Sequence, residues 1–411
     1  MEKRVLFINR SYWPDAEATG QLLTELCEGL ANQFEIEVVC GQPNANPHNE
    51  VFRSRGYESK NSVGIHRVGH FVFDKRRSLF HRAANLISFL LAALAKSLFV
   101  KRADIVVVET DPFLLAVLGR FLKFWKRSKL VVYLQDIYPD VAIAVNKVEP
   151  GLVTKTVRFL LFGAYKRADR IIVLSNDMKR RLVRQGVDAQ KITIIPNWID
   201  TKLVYPIKGA GNQFRKRYDL DSKFVVMHSG NMGLTQGLEQ LVEVADRLRA
   251  RDDICFLLVG GGAARAGIEQ LIARRALTNI RTIPYQPRSE LAESLSAADL
   301  HVVSMHPDIT GCLMPSKMYG ILASGTPILA IVPAETDVAE TVAREAVGFA
   351  VCPGDLDGIE RQIIWCAGHR EGFGEMESRA RMLAETTYDR QVVIDMFREF
   401  CDALLASNPG S

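Results

Sequence analysis

The residues Gly311-Cys312-Leu313-Met314-Pro315-Ser316-Lys317-Met318-Tyr319-Gly320 are where residue types and spacing point most directly to chemistry. A glycine-led loop passes through Pro315 and Ser316 into a predicted short helix with Ser316 as its N-cap. Backbone N–H groups at such a helix start would face an anion, and Lys317 would add a positive charge there. Gly325 and Pro327 end the helix before the apolar run Ile328–Val332, which is how an open α/β sheet presents a ligand at its carboxyl edge. The pattern predicts a phosphate-binding site.

Other glycine turns follow predicted strands. In His228-Ser229-Gly230-Asn231-Met232-Gly233 the glycines would expose backbone N–H groups to a phosphate, and Asn231 suits a diphosphate oxygen. In Val259-Gly260-Gly261-Gly262 the missing side chains would let a base or sugar approach. Together with Pro315, Ser316 and Lys317 these turns predict a nucleotide pocket. Near the start, Trp13–Gln21 carries Asp15, Thr19 and Gly20 at a strand-to-helix turn, and its spacing is not the GxGxxG of a dinucleotide site. Asp136 and Asp140, just beyond the strand Leu130–Gln135, are the carboxylates placed to orient a hydroxyl, with Asp15 and Glu17 behind them. Helix N-capping is the competing explanation for all four. Glu109-Thr110-Asp111 imitates an acidic triplet, but it offers only two carboxylates, and no HxxxH or HExxH spacing occurs. Neither a metal nor any other cofactor is expected.

These turns need a scaffold of strands and helices. The expected strands are Val5–Asn9, Ile36–Cys40, Ile105–Val108, Leu130–Gln135, Ile171–Leu174 and Ile192–Pro196, then Phe224–Ser229, Ile254–Gly260, Ile280–Pro284, Leu300–Ser304, Pro327–Val332 and Phe349–Cys352. Amphipathic segments such as Gly20–Asn32, Met178–Gln185, Leu238–Ala250 and Glu290–Ala297 separate them, giving the βαβ rhythm of parallel sheets. The fold class is α/β with two Rossmann-like domains. Residues 1–200 form the first and 201–387 the second, with the active site in a cleft between them and 388–411 available to cross back to the first.

The chain has 411 residues, 48% apolar and 24% charged, enough for two cores. Its seven cysteines show no CxxC spacing and read as reduced packing residues. With no export signal at Met1–Ser11, a cytoplasmic protein is expected. Residues 1–200 hold 30 Lys and Arg against 20 Asp and Glu. Within that basic half, Lys75-Arg76-Arg77, Arg82, Lys101-Arg102 and Phe121–Arg127 mix cations with large apolar side chains, which suits an anionic membrane surface. The lipophilic Leu86–Val100 reads as a buried or interfacial helix, too short to span a bilayer. No nucleic-acid motif accompanies the charge.

Ala18-Thr19-Gly20-Gln21, Leu134-Gln135-Asp136-Ile137-Tyr138-Pro139-Asp140, Ile195-Pro196-Asn197-Trp198, Ser229-Gly230-Asn231-Met232-Gly233 and Pro315-Ser316-Lys317-Met318-Tyr319-Gly320 together resemble glycosyltransferase family 4. The closest branch by resemblance is the bacterial transferases of O-antigen, capsule and exopolysaccharide assembly. The resemblance implies a GT-B fold, a nucleotide-sugar donor on the second domain and an acceptor on the first. The implied reaction is retaining and metal-free, with the leaving phosphate taking the acceptor proton. A UDP-sugar donor is expected before a GDP-sugar, and the basic, apolar first half points to a lipid-linked acceptor at the inner face of the plasma membrane. Taken together, residue pattern and resemblance predict donor contacts on Gly230–Gly233, Gly260–Gly262 and Pro315–Lys317, and acceptor contacts on Asp15, Thr19, Gly20, Gln135 and Asp140, with Asp136 and Lys317 catalytic.

The sequence also departs from the family pattern. Asn231 stands where an arginine is usual, Gln236 where a lysine is, Gln135 where a histidine is common, and Gly320 where a ribose-binding acid is expected. Those losses keep open a non-catalytic transferase-like subunit, and a GT-B nucleotide-sugar epimerase is the other alternative. The same losses shift the diphosphate onto Lys317.

Overall fold

Each apolar run expected as a strand forms one, because parallel strands covered on both faces need continuous Val, Ile and Leu. The structure is a computed structural model and describes residues 3–15, 17–44, 46, 50–73, 79–144 and 148–407. The basic run Lys75-Arg76-Arg77 and the last residues of the terminal segment, 408–411, lie outside the described residues.

The first sheet contains β1 (Arg4–Ile8), β2 (Glu35–Cys40), β3 (Gly56–Lys60), β4 (Val63–Arg67), β5 (Ile105–Val108), β6 (Lys129–Leu134), β7 (Arg170–Val173) and β8 (Ile192–Ile194). Its order is β3-β4-β2-β1-β5-β6-β7-β8, parallel except for the β3–β4 hairpin. The second contains β9 (Phe224–Asn231), β10 (Ile254–Gly261), β11 (Ile280–Ile283), β12 (Leu300–Ser304), β13 (Ile328–Ile331) and β14 (Gly348–Val351), in the order β11-β10-β9-β12-β13-β14, all parallel. The β3–β4 hairpin was not expected. Gly56-Tyr57-Glu58-Ser59-Lys60 is largely exposed and carries no apolar run.

The helices are α1 (Ala18–Leu30), α2 (Leu79–Phe99), α3 (Leu115–Lys126), α4 (Asp140–Ala144), α5 (Leu152–Tyr165) and α6 (Asn176–Arg184) in the first half. The second half has α7 (Gln213–Arg217), α8 (Glu239–Arg247), α9 (Arg265–Arg274), α10 (Leu291–Ser296), α11 (Lys317–Ala323), α12 (Asp337–Arg344), α13 (Leu356–Gly368), α14 (Gly374–Thr387) and α15 (Arg390–Ala406).

The chain divides into two units, Met1–Ile143 with Val148–Pro196 and Val393–Ser411, and one centred on Asn197–Val392. The Asn197–Asp200 segment belongs to the second, where Ile199 pairs with Asp389 and exchanges backbone hydrogen bonds with Tyr388 and Arg390. Within the first unit, Phe397 of α15 meets Tyr133 of β6 edge-on at 5.2 Å between ring centroids. All seven cysteines are free, and only Cys352 is exposed.

In both sheets the crossover direction reverses beside the first strand, between β1 and β5 and between β9 and β12. The crevice at the carboxyl end of such a reversal is where open α/β sheets bind ligands.

Candidate active site

In the second unit, β9 ends in the turn Gly230–Gly233 and β10 in Gly260–Gly262, with paired registers Gly260↔Gly230 and Gly261↔Asn231. Gly230, Gly260 and Gly262 have φ of +125°, +134° and +151°, a region only glycine enters without strain. A Cβ on Gly260 would run into the Gly230 carbonyl, and one on Gly262 into Asn231 and the Met232 carbonyl. The close approach that the glycines allow is therefore first of all between the two turns. Met232 N–H donates to the Gly261 carbonyl at 2.8 Å, and Ala264 N–H donates to the Met232 carbonyl at 2.9 Å. Met232 corrects the sequence reading, because its side chain is fully buried in the hydrophobic core and its backbone is already committed. Asn231 is exposed beside it.

Across the β9–β12 reversal, α11 delivers Lys317. Its ammonium donates to Gln236 Oε1 at 2.6 Å and lies 3.3 Å from His228 Nε2. The residue as a whole is half-buried, but the ammonium is withdrawn from water, and that desolvation lowers its pKa to about 7. Burial, followed by the charge of Lys317, pushes His228 well below the usual histidine range. His301 behind it falls to about 4, again mainly through burial, with its Nε2 2.9 Å from the Leu295 carbonyl. At neutral pH both imidazoles are thus neutral, beside a lysine that titrates at about 7. Gln236 is itself fixed by the 2.5 Å hydrogen bond from Ser304 Oγ to its carbonyl.

The start of α11 differs from expectation. Ser316 adopts helical angles (φ −63°, ψ −20°) and makes no side-chain capping bond. Met318 N–H and Tyr319 N–H already donate to the Pro315 and Ser316 carbonyls, each at 3.3 Å. Pro315 is buried, Ser316 is exposed, and Lys317 is the one charged residue of α11. Gly320 is buried with its Cβ direction 3.1 Å from Leu295 Cδ1, so a larger acid at that position would push against α10.

In the first unit, the β1–β5 reversal holds Arg10, which the sequence reading missed. Its guanidinium donates to both oxygens of Asp111 at 2.8 and 3.1 Å and to Asn44 Oδ1 at 2.6 Å, and it pairs with Glu17 at 3.3 Å. Burial works against that charge, but Asp111, Glu17 and Asp15 outweigh it and raise the Arg10 pKa. Ser11 Oγ bridges Asp111 and Glu17 at 2.9 and 3.0 Å. The one available signal was a basic residue placed directly after an apolar strand. Glu109, at the end of β5, is buried with Oε2 unpartnered, and burial together with Asp111 raises its pKa far above the carboxylate range.

Asp15 is buried, and its oxygens accept backbone N–H groups of Glu17 and Asn44 at 3.2 and 3.1 Å, so it braces the loop. Gly20 lets α1 close on that loop, with its Cβ direction 3.2 Å from Ser11 and 3.3 Å from Asp15. Thr19 is half-buried beside it. Asp136 lies half-buried beyond β6, where with Asp111 it adds to the burial that raises Tyr138 to about 12, while Gln135 is buried next to it. Asp140 is the residue the structure removes from this group. Its buried carboxylate pairs with Arg158 and with Arg181 at 2.9 Å and accepts from Gln185 at 3.1 Å, a fixed structural ion pair in place of the expected acceptor contact.

Both units therefore place polar side chains in their switch-point crevices. Residues 19–203 match the family described as Glycosyltransferase Family 4, and residues 212–382 match Glycosyl transferases group 1. The chain is a glycosyltransferase carrying both of these family domains. This transferase is 26% identical over 410 residues to WcaI of Escherichia coli K12, a protein named for colanic acid biosynthesis, covering 96% of this chain and 98% of the relative. It is 24% identical to WbjE of Pseudomonas aeruginosa, named as a glycosyltransferase, over 71% of this chain and 72% of that one. Among solved structures it resembles Anabaena HepE in complex with UDP, with a TM-score of 0.75 at 16% identity, covering 97% of this chain and 100% of that one. It also resembles sucrose-phosphate synthase of Thermosynechococcus elongatus, with a TM-score of 0.76 at 18% identity, covering 99% and 100%. These likenesses show the GT-B fold.

Proposed function

We propose that this glycosyltransferase moves a sugar, with retention, from a UDP-sugar to a lipid-linked saccharide precursor of a bacterial surface polysaccharide, at the cytoplasmic face of the membrane. The observation that carries the reading is the Lys317 ammonium held against Gln236 and His228 at the carboxyl edge of the second sheet. It lies beside the glycine turns where a nucleoside diphosphate would seat. The names of WcaI and the UDP complex of HepE support the polysaccharide context and the nucleotide.

In the proposed step the bond from the sugar's anomeric carbon to the diphosphate oxygen breaks as the acceptor hydroxyl oxygen bonds to the same face of that carbon. The hydroxyl proton passes to the departing phosphate oxygen. Negative charge accumulates on the diphosphate, and Lys317 is the residue that offsets it, inside a site where water does not weaken the attraction. A resident cation in that place removes the need for a divalent metal. On the acceptor side, Asp136 and the Arg10–Asp111–Glu17 group are the polar residues placed to orient a hydroxyl.

Incubation of the purified protein with UDP-sugars and undecaprenyl-diphosphate saccharides tests this reading, with product anomeric configuration read by NMR. Transfer with retention, unchanged by EDTA, is expected. Sugar interconversion without an acceptor, or transfer with inversion, would overturn it.

A further inference from the structure

In an ordinary surface helix the apolar stripe faces inward, and α2 reverses that pattern. Its exposed positions Ile87, Leu91, Ala95 and Phe99 repeat every four residues, preceded by Phe80 and Ala83, while its buried stripe includes the polar Asn85 and Ser97. Ile87, Leu91 and Phe99 are 52%, 63% and 87% exposed. The helix is also longer than the sequence reading allowed, and Phe80–Phe99 has the length and composition to cross a membrane. Packing against β2 and α3 in the first unit gives it a different place, lying along the surface.

Two neighbours extend the apolar face. Packed against both α2 and α5, α3 presents Phe121 and Trp125, stacked at 6.3 Å, together with Phe124. On α5, Leu152, Val153 and Phe159 are 81%, 74% and 78% exposed. None of the three helices contains an Asp or Glu, whereas Arg82, Lys96, Arg120 and Lys155 lie on them beside Lys123 and Arg158, which pair with Asp169 and Asp140. Exposed aromatic and aliphatic side chains on helices that carry cations and no acid of their own match a bilayer interface bearing negative headgroups. A second copy of the chain is the poorer occupant, because two such faces would oppose cation to cation.

We propose that the α2–α3–α5 face is the surface through which the enzyme lies on an anionic lipid bilayer, in the plane of the headgroups and without spanning it. The inference rests on the reading of a lipid-linked acceptor for its purpose, but its geometry stands by itself.

Vesicle flotation with phosphatidylcholine, alone or mixed with phosphatidylglycerol, tests it, with UDP binding measured by calorimetry on the same preparations. The protein is expected to float with phosphatidylglycerol vesicles and much less with phosphatidylcholine alone. Leu91→Glu, Trp125→Glu and Phe159→Glu should each weaken vesicle binding about tenfold or more, with UDP affinity and melting temperature unchanged. Lys155→Glu should weaken binding only to the anionic vesicles. Wild-type protein that binds UDP but not anionic vesicles would overturn the proposal. So would face variants that float like wild type, or a solution dimer dispersed by the same variants. Absence of UDP binding with vesicle binding intact would count against the donor reading alone.

Discussion

Lys317 Nζ donates to Gln236 Oε1 at 2.6 Å, joining the first residue of α11 to the turn that follows β9. The family pattern has a lysine where Gln236 stands, so a cation is supplied to the same crevice from a different element. Restoring the usual lysine would then place two ammonium groups in contact. Gln236→Lys is expected to lower both melting temperature and UDP affinity, whereas the exchange Gln236→Lys with Lys317→Gln should recover the affinity to within about tenfold. Differential scanning fluorimetry and calorimetry on the wild type and the two variants check this, and a tighter-binding Gln236→Lys single variant would refute it.

A lysine with a pKa near 7 also makes donor binding depend on pH. The diphosphate favours the charged ammonium, so binding raises the Lys317 pKa and draws a proton from solution when the free site is neutral. UDP affinity should fall as pH rises above about 7, with net proton uptake seen as a dependence of calorimetric heat on buffer ionisation enthalpy. Lys317→Met should abolish the uptake. A flat affinity from pH 7 to 9 in the wild-type protein would contradict the assignment.

Stability of the free protein carries the same signature with its own sign. Lys317 is lowered from 10.5 to about 7, so between those values the unfolded chain binds more protons than the folded one, and stability rises with pH. His228 and His301, also lowered, add a second loss as pH falls below the usual histidine value. Lys317→Met should flatten the slope of melting temperature against pH in the upper window and leave the lower one.

The strands were legible because buried parallel strands are continuous apolar runs, as in Ile105–Val108, where every residue is buried. The β3–β4 hairpin was not, since its exposed outer strand carries Glu58 and Lys60 instead of an apolar pattern. Lys317 was legible from local spacing. His228 beneath it, Arg10 opposite Asp111 and the Asp140–Arg181 pair were not, because each is made by elements far apart in the chain. Met232 was misread for a related reason. A turn residue can face the ligand or the core, and local sequence does not say which.

Asp140 distinguishes a structural carboxylate from a functional one. Its side chain is 1% exposed against Arg181 and Arg158, whose own side chains are 32% and 39% exposed, so water takes up part of the arginine charge and losing the carboxylate costs about 1–2 kcal/mol. Asp140→Ala should lower unfolding free energy by that order, measured by urea denaturation, with acceptor KM unchanged in the fraction that stays folded.

Gly260 tests the geometry of the paired turns. At φ +134° with the Gly230 carbonyl against its Cβ direction, Gly260→Ala should cost about 1–3 kcal/mol and weaken UDP binding as the two turns separate. Gly267→Ala, with open space around its Cβ direction, is the control and should be neutral or stabilising.

The most direct measurement is a calorimetric titration of UDP and GDP into the wild-type protein and Lys317→Ala. UDP should bind more tightly than GDP, and loss of the charged contact should weaken it about ten- to a hundredfold. A wild-type protein that binds neither nucleotide, or a Lys317→Ala variant that binds UDP as tightly as wild type, would contradict the account.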